Sequence, residues 1–202
     1  LSFNNINDSD AALELVSEFN DPAVVIVKHA NPCGVAIADK IDVAWSKALK
    51  TDPVSAFGGI VALNRKINLT IAKKLSELFL EVLIAPGITE EAQKVLIKKN
   101  NLRILISNSS LQKQKKNYII KSALGGFLIQ TKDNKDLKKV NVNIVTKRSP
   151  SKKEFEDLLF AWIVAKHTKS NAIVYAKNKM TTGIGAGQMS RIDSVLIAMK
   201  KA

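Results

Sequence analysis

The chain has 202 residues, enough for one sizeable domain or two small ones with a real core. Its hydrophobic content of 46% fits a soluble globular protein, no apolar run approaches membrane-spanning length, and no basic stretch followed by an apolar one opens the sequence; no membrane partner is expected. The formal charge of +13 points toward polyanions, yet only four of the 31 basic residues are arginine and aromatics make up 5%, so general attraction for anionic small molecules explains it equally well and no nucleic-acid function is expected.

In chain order, Asp8-Ser9-Asp10 offers helix caps, and Ala11, Ala12, Leu13, Leu15, Val16 and Phe19 give a helical apolar pattern that Asp21-Pro22 ends. Val24-Val25-Ile26-Val27 then reads as a fully buried strand, four β-branched residues in a row. Lys28 and His29 follow where the run stops being apolar, and Asn31-Pro32 with Gly34 predicts a sharp turn out of the sheet. Ligands of open α/β sheets sit beyond carboxyl strand ends, so a Lys-His pair there is placed for chemistry. Adjacent strand residues face opposite ways, and the two serve one pocket only if the backbone turns. A solvated lysine and a structural histidine are the ordinary alternatives. His29 with Pro32-Cys33 invites a zinc-deaminase comparison, but that site needs a second cysteine and a nearby glutamate; with Cys33 alone and Asn31 in the third position, no metal is expected. The single cysteine also excludes a disulfide framework and fits a reducing, cytoplasmic compartment.

A second helix is predicted over Ile41 to Lys50, broken by Thr51-Asp52-Pro53. Val54 to Gly59 reads as a small-residue turn into a strand Ile60–Leu63; Phe57 suits a core, while the glycines would also admit a ligand close to the backbone. Then come a helix near Leu69–Phe79, a strand Glu81–Ala85, a helix Glu90–Lys99 and a strand Leu102–Ile106. From Ser107 to Lys147 the pattern is least regular: a polar basic loop, a strand pair broken by Gly125-Gly126, and a Lys-rich connection before a strand Val142–Val145. Ser151 with Glu154 forms a capping-box pattern opening a helix through about Thr168, where the helix dipole accounts for His167. Ala172–Ala176 reads as another buried strand, entered by Ser170-Asn171, whose amide is either turn chemistry or functional. Thr182 to Gln188 reads as a Gly-rich loop feeding a last helix from about Ser190. Gly183, Gly185 and Gly187 there let the backbone approach an anion, without dinucleotide spacing. Arg191 in the first helical turn opposes the dipole, which an anionic ligand would explain, as would a plain surface position. Strands alternating with helices predict an α/β fold with the sheet covered on both faces.

Five segments together resemble one family: Leu1-Ser2-Phe3-Asn4-Asn5-Ile6, Lys28 to Gly34, Thr51 to Gly59, Ser170 to Asn178, and Gly183 to Arg191. They look like the AICAR transformylase domain of the bifunctional purine-biosynthesis enzyme whose other domain is IMP cyclohydrolase, a transferase and hydrolase in one chain. The resemblance runs over residues 1–202 and implies a cytidine-deaminase-like layered fold, a mixed sheet covered by helices, without zinc. It implies formyl transfer from the co-substrate 10-formyltetrahydrofolate to the 5-amino group of AICAR ribonucleotide in IMP biosynthesis. On it, His29 is the base and Lys28 steadies the transition state or assists the departing folate nitrogen. Asn171 joins them at the catalytic centre and, with Asn5, contacts the nucleotide; Ser55, Phe57, Gly58 and Gly59 line its pocket, and Arg191 and Ile192 lie by the folate. The physics agrees, since an ammonium beside an imidazole disfavours its protonation, as a base requires. The family also implies a homodimer with sites at the interface, a second transformylase half, a cyclohydrolase domain and a short basic nucleotide-binding motif, none of them within these 202 residues. The expectation is the N-terminal part of a transformylase domain, acting as an enzyme with the remainder present; the alternative is an inert fragment that binds anions weakly.

Overall fold

The computed structural model describes residues 1–107, 118–135 and 142–202. Helix α1 spans Phe3–Val16, capped by Ser2, whose hydroxyl accepts the Asn5 amide while the Asn5 side chain takes the Ser2 N–H. The Asp8-Ser9-Asp10 triplet therefore lies inside the helix rather than capping it, because the capping box six residues earlier satisfies the first-turn donors. Strand β1 is Ala23–Lys28, and Val24 to Val27 are buried as the unbroken apolar run predicts.

The turn after β1 falls earlier than expected. Strand β2 starts at Asn31 and runs to Ile37, antiparallel to β1 with Lys28 opposite Asn31. The connection is thus two residues, His29 and Ala30, both at positive φ (52° and 56°). Such hairpin turns usually carry Asn or Gly; a non-glycine residue held there costs about 1–3 kcal/mol. Pro32 and Gly34 are strand residues. Gly34 is required for packing: a Cβ on it would lie 2.2 Å from the Ala48 carbonyl oxygen of the helix above.

That helix, α2, is Ile41–Thr51, followed by a short α3, Pro53–Ala56, and strand β3, Gly59–Leu63. Then come α4 (Leu69–Ser76), β4 (Leu80–Ala85), α5 (Glu90–Leu96) and β5 (Arg103–Ile106). A separate hairpin, β6 (Tyr118–Ala123) and β7 (Gly126–Thr131), matches the strand pair expected around Gly125. The expected strand Val142–Val145 is irregular chain; its apolar residues are exposed, and no described strand pairs with it. Residues 108–117 of the basic loop and 136–141 of the Lys-rich connection lie outside the described residues.

Helix α6, Lys152–Lys166, carries the expected Ser151–Glu154 capping box. Strand β8, Ile173–Lys177, is half-exposed rather than buried because it ends the sheet. Strand β9, Met180–Gly185, and helix α7, Arg191–Lys201, complete the described elements. Gly183 and Gly185 are therefore strand residues and form no loop around an anion. Cβ atoms on them would sit 2.0 Å and 1.9 Å from the Ala198 and Ser194 carbonyl oxygens, so they admit α7 against the sheet. Of the three, Gly187 is in the loop, at φ 68°.

The seven-stranded sheet has the order β5-β4-β3-β1-β2-β9-β8 and is mixed: β3, β4 and β5 are parallel, the other pairings antiparallel. One apolar cluster joins Val24, Ile26, Val61 and Leu83 to Trp45, Ile71, Leu75 and Leu96 of α2, α4 and α5. The other joins Val25, Val27, Ile60 and Ile84 to Leu15 of α1 and to Phe160 and Val164 of α6. Alternation along the strands thus feeds two cores, and both faces of the sheet are covered as expected. The ladder between β2 and β9 is short. Ala36 pairs Met180, and then the Thr181 hydroxyl takes the Val35 N–H at 2.9 Å in place of a backbone partner.

Candidate functional site

Antiparallel pairing decides where the candidate residues meet. The carboxyl ends of β1 and β9 lie at the same edge of the sheet as the amino ends of β2, β3, β4 and β8. Lys28, His29, Gly58, Gly59, Asn171 and the start of α7 all collect there. The candidate residues lie beyond the carboxyl ends of β1 and β9, but this is the amino end of the parallel trio β3–β5.

Lys28 is half-buried, and its ammonium donates to the Phe57 carbonyl. Gly58 sits at φ 66° with its N–H on the Phe79 carbonyl at 2.8 Å. A Cβ at Gly58 would lie 3.3 Å from Lys28 Nζ and 3.5 Å from the Phe79 ring, so glycine keeps the backbone open to that lysine. Phe57 is no core residue: it is 58% exposed, its ring 5.3 Å from that of Phe79. Ser55 donates its N–H to Asp52 Oδ1 at 3.0 Å. The Lys201 ammonium pairs with the other oxygen of Asp52. Burial pushes the Asp52 carboxyl up, but Lys201 and Ser55 outweigh it and hold the group below its ordinary value. Burial, with the Asp52 charge adding to it, pushes the Cys33 thiol up to about 12, so it stays protonated and unreactive at neutral pH.

Asn5 is buried, and besides its capping role its amide donates to Glu81 Oε2 at 2.7 Å. Glu81, the second residue of β4, thereby joins this edge. Nothing in its sequence setting marks it, because a charged residue at a strand start is ordinary; only the pairing of β4 with β3 brings it here.

On the other side of the edge, Asn171 donates through Nδ2 to the Gln188 and Met189 carbonyls, both at 2.9 Å, and its own carbonyl accepts the Ser194 hydroxyl at 2.9 Å. These bonds fix Asn171 against the start of α7, where Ser190 caps the helix. Arg191 and Ile192 are its first two residues and face solvent. His29 is exposed at the hairpin tip, and its ring makes no hydrogen bond to a described residue. Lys28 and the Phe57-Gly58 turn are in direct contact, whereas His29 and Asn171 are connected through intervening loops.

Among the described residues, no three His, Cys, Asp or Glu side chains group as a metal site, and no helix is long and apolar enough to cross a membrane.

A family model described as AICARFT/IMPCHase bienzyme matches residues 1–201. The chain is 55% identical over 202 residues to the bifunctional purine biosynthesis protein PurH of Thermoanaerobacter sp. strain X514. It is 53% identical over 206 residues to the PurH of Chelativorans sp. strain BNC1, and 48% identical over 202 to that of Anoxybacillus flavithermus strain WK1. Each match covers all of this chain and 38–39% of the relative, so the chain spans well under half the length of these proteins.

Proposed function

The chain belongs to the AICARFT/IMPCHase bienzyme family, and on that premise we propose that its folded edge is the catalytic part of an AICAR formyltransferase, serving purine biosynthesis with 10-formyltetrahydrofolate as co-substrate. The observation that carries the reading is the gathering of Lys28, His29, the Ser55–Gly59 segment, Asn5 and Asn171 at one sheet edge, from four separate stretches of sequence.

The nucleophile is an arylamine whose lone pair is delocalised into the ring and carboxamide. It attacks the formyl carbon, forming a C–N bond and a tetrahedral oxyanion. The amine's proton passes to His29, and the oxyanion collapses by breaking the bond to the folate N10, which leaves with a proton from that imidazolium or from the Lys28 ammonium. A base placed there is worth about 10²–10⁴-fold in rate. Lys28 supplies positive charge to the oxyanion or a proton to N10. Its ammonium has three N–H groups and gives one to the Phe57 carbonyl, which aims the head and leaves two without a partner among the described residues. Asn171, held by four hydrogen bonds, and Asn5 contact the nucleotide; the Ser55–Gly59 segment lines its pocket, and the exposed Arg191 and Ile192 lie by the folate. The remaining polypeptide and a second subunit of a cytoplasmic homodimer complete the binding surface.

The test is a chimera in which residues 1–202 replace the matching segment of the Thermoanaerobacter relative. It is expected to make formyl-AICAR, and His29→Ala to abolish that with little change in AICAR affinity, because a base acts on the barrier. An active His29→Ala chimera removes His29 as the base. The exposure of His29, Arg191 and Ile192 favours a second statement: the 202-residue chain by itself binds anions weakly and turns over almost nothing. Robust turnover by the chain alone would refute it.

A further inference from the structure

The sheet is weakest where the candidate site lies. Between β2 and β9 the ladder ends at Thr181, whose hydroxyl substitutes for a backbone partner, so toward the site edge no ladder ties β1–β2 to β9–β8. The first bond across that gap at the edge is made by a side chain: Asn31 Oδ1 accepts the Lys169 N–H at 3.0 Å. Asn31 Nδ2 reaches back to the His29 carbonyl at 3.3 Å. From Lys169 the connection continues, its carbonyl accepting the Gly187 N–H at 2.9 Å, while the Asn171 N–H bonds the Gln188 carbonyl at 3.1 Å. Hydrogen bonds, joined by the Gly187–Gln188 peptide, thus lead from the His29 turn to Asn171.

The turn needs such a hold. His29 and Ala30 are both non-glycine residues at positive φ. The same problem occurs at the opposite edge, where Asn178 and Lys179 connect β8 to β9 with φ of 56° and 54°. There Asp157 of α6 accepts both turn amides, at 2.9 Å and 2.7 Å. At the site edge the described side chain bonded to the turn is Asn31, an amide rather than a carboxylate.

We propose that Asn31 is a positioning residue, clasping the turn that carries His29 to the loop that carries Asn171 across the break in the ladder. Its catalytic consequence rests on the formyl-transfer reading above; the clasp itself does not. Asn31 acts on the reaction through His29 and touches no reacting atom.

Two measurements decide it. In the ¹⁵N-labelled 202-residue chain, Asn31→Ala should speed exchange of the Lys169 amide by about tenfold or more and shift the His29 ring resonances. Asn31→Asp keeps the acceptor, so in it Lys169 exchange should stay slow. In the chimera, Asn31→Ala should lower kcat on the order of a hundredfold with the AICAR KM changed less than about threefold, and Asn31→Asp should recover most of that loss. Unchanged Lys169 exchange in Asn31→Ala, fast exchange in Asn31→Asp, or a defect confined to KM would each overturn the proposal. A chimera with no formylating activity before any substitution would sink the formyl-transfer reading alone, while Lys169 exchange and the His29 resonances would still decide the clasp.

Discussion

Two antiparallel hairpins in this molecule live in different surroundings. β1–β2 is sealed between both cores, with Val24 to Val27 no more than 1% exposed. β6–β7 is as apolar, with Ile119, Ile120, Phe127, Leu128 and Ile129, yet every residue of both strands is exposed. One described tie to the main body is the Lys132–Glu14 ion pair at 2.6 Å, between the end of the hairpin and α1. Apolar composition therefore does not place a strand in a core; neighbours on both faces do, and a lone two-stranded hairpin is marginal in water.

The largest expected contrast is catalytic. In the chimera, His29→Ala at the tip of β1–β2 should cost about 10²–10⁴-fold in turnover, while Leu124→Ala at the tip of β6–β7 should leave the rate within about twofold. Product formation at saturating substrates reads both; a Leu124 defect as large as the His29 one would erase the distinction.

Stability should separate the hairpins next. Ile26→Ala empties a fully buried site and should cost about 2–5 kcal/mol in urea unfolding, whereas Ile120→Ala should change stability by less than about 0.5 kcal/mol. Equal effects would mean that β6–β7 is covered in solution.

Glycine substitutions sharpen the comparison further. Gly185→Ala drives a methyl into the Ser194 carbonyl and should destabilise by about 1–3 kcal/mol or more. Gly126→Ala meets nothing within 4 Å and should be neutral or stabilising by up to about 1 kcal/mol. Thermal melts of the two variants, side by side, check the sign of each.

The smallest effect is electrostatic. The hydrogen bond to His167, then that from Lys166, brings the Glu18 carboxyl from 4.5 down to about 2, against an opposing push from burial. A carboxylate with a depressed folded pKa stabilises above its unfolded value and loses that contribution as protons bind. Stability should therefore fall between about pH 4.5 and pH 2, and Glu18→Gln should flatten that part of the curve. An acid limb unchanged by Glu18→Gln would show that the pair contributes nothing.

What the sequence determined by itself is local. The β-branched run at Val24–Val27 and the apolar periodicity of α2 fixed those elements, and the Ser151–Glu154 box fixed the start of α6, because each signal is a short-range preference carried by its own residues. The motif order also supplied the expectation of which residues make up the candidate site. Tertiary structure alone decided why the glycines are there and which residues the site adds. Gly34, Gly183 and Gly185 read as turn and loop punctuation, yet they lie in strands and exist because helix carbonyls press against them, a cause that resides in α2 and α7. The turn moved to His29-Ala30 because pairing register with β2 outweighed the local preference of Pro32 and Gly34. Glu81 and the Asn31 clasp were invisible for the same reason. Their partners stand 76 and 138 residues away in the chain, and contacts at that separation exist only once the sheet has brought its strand ends to one edge.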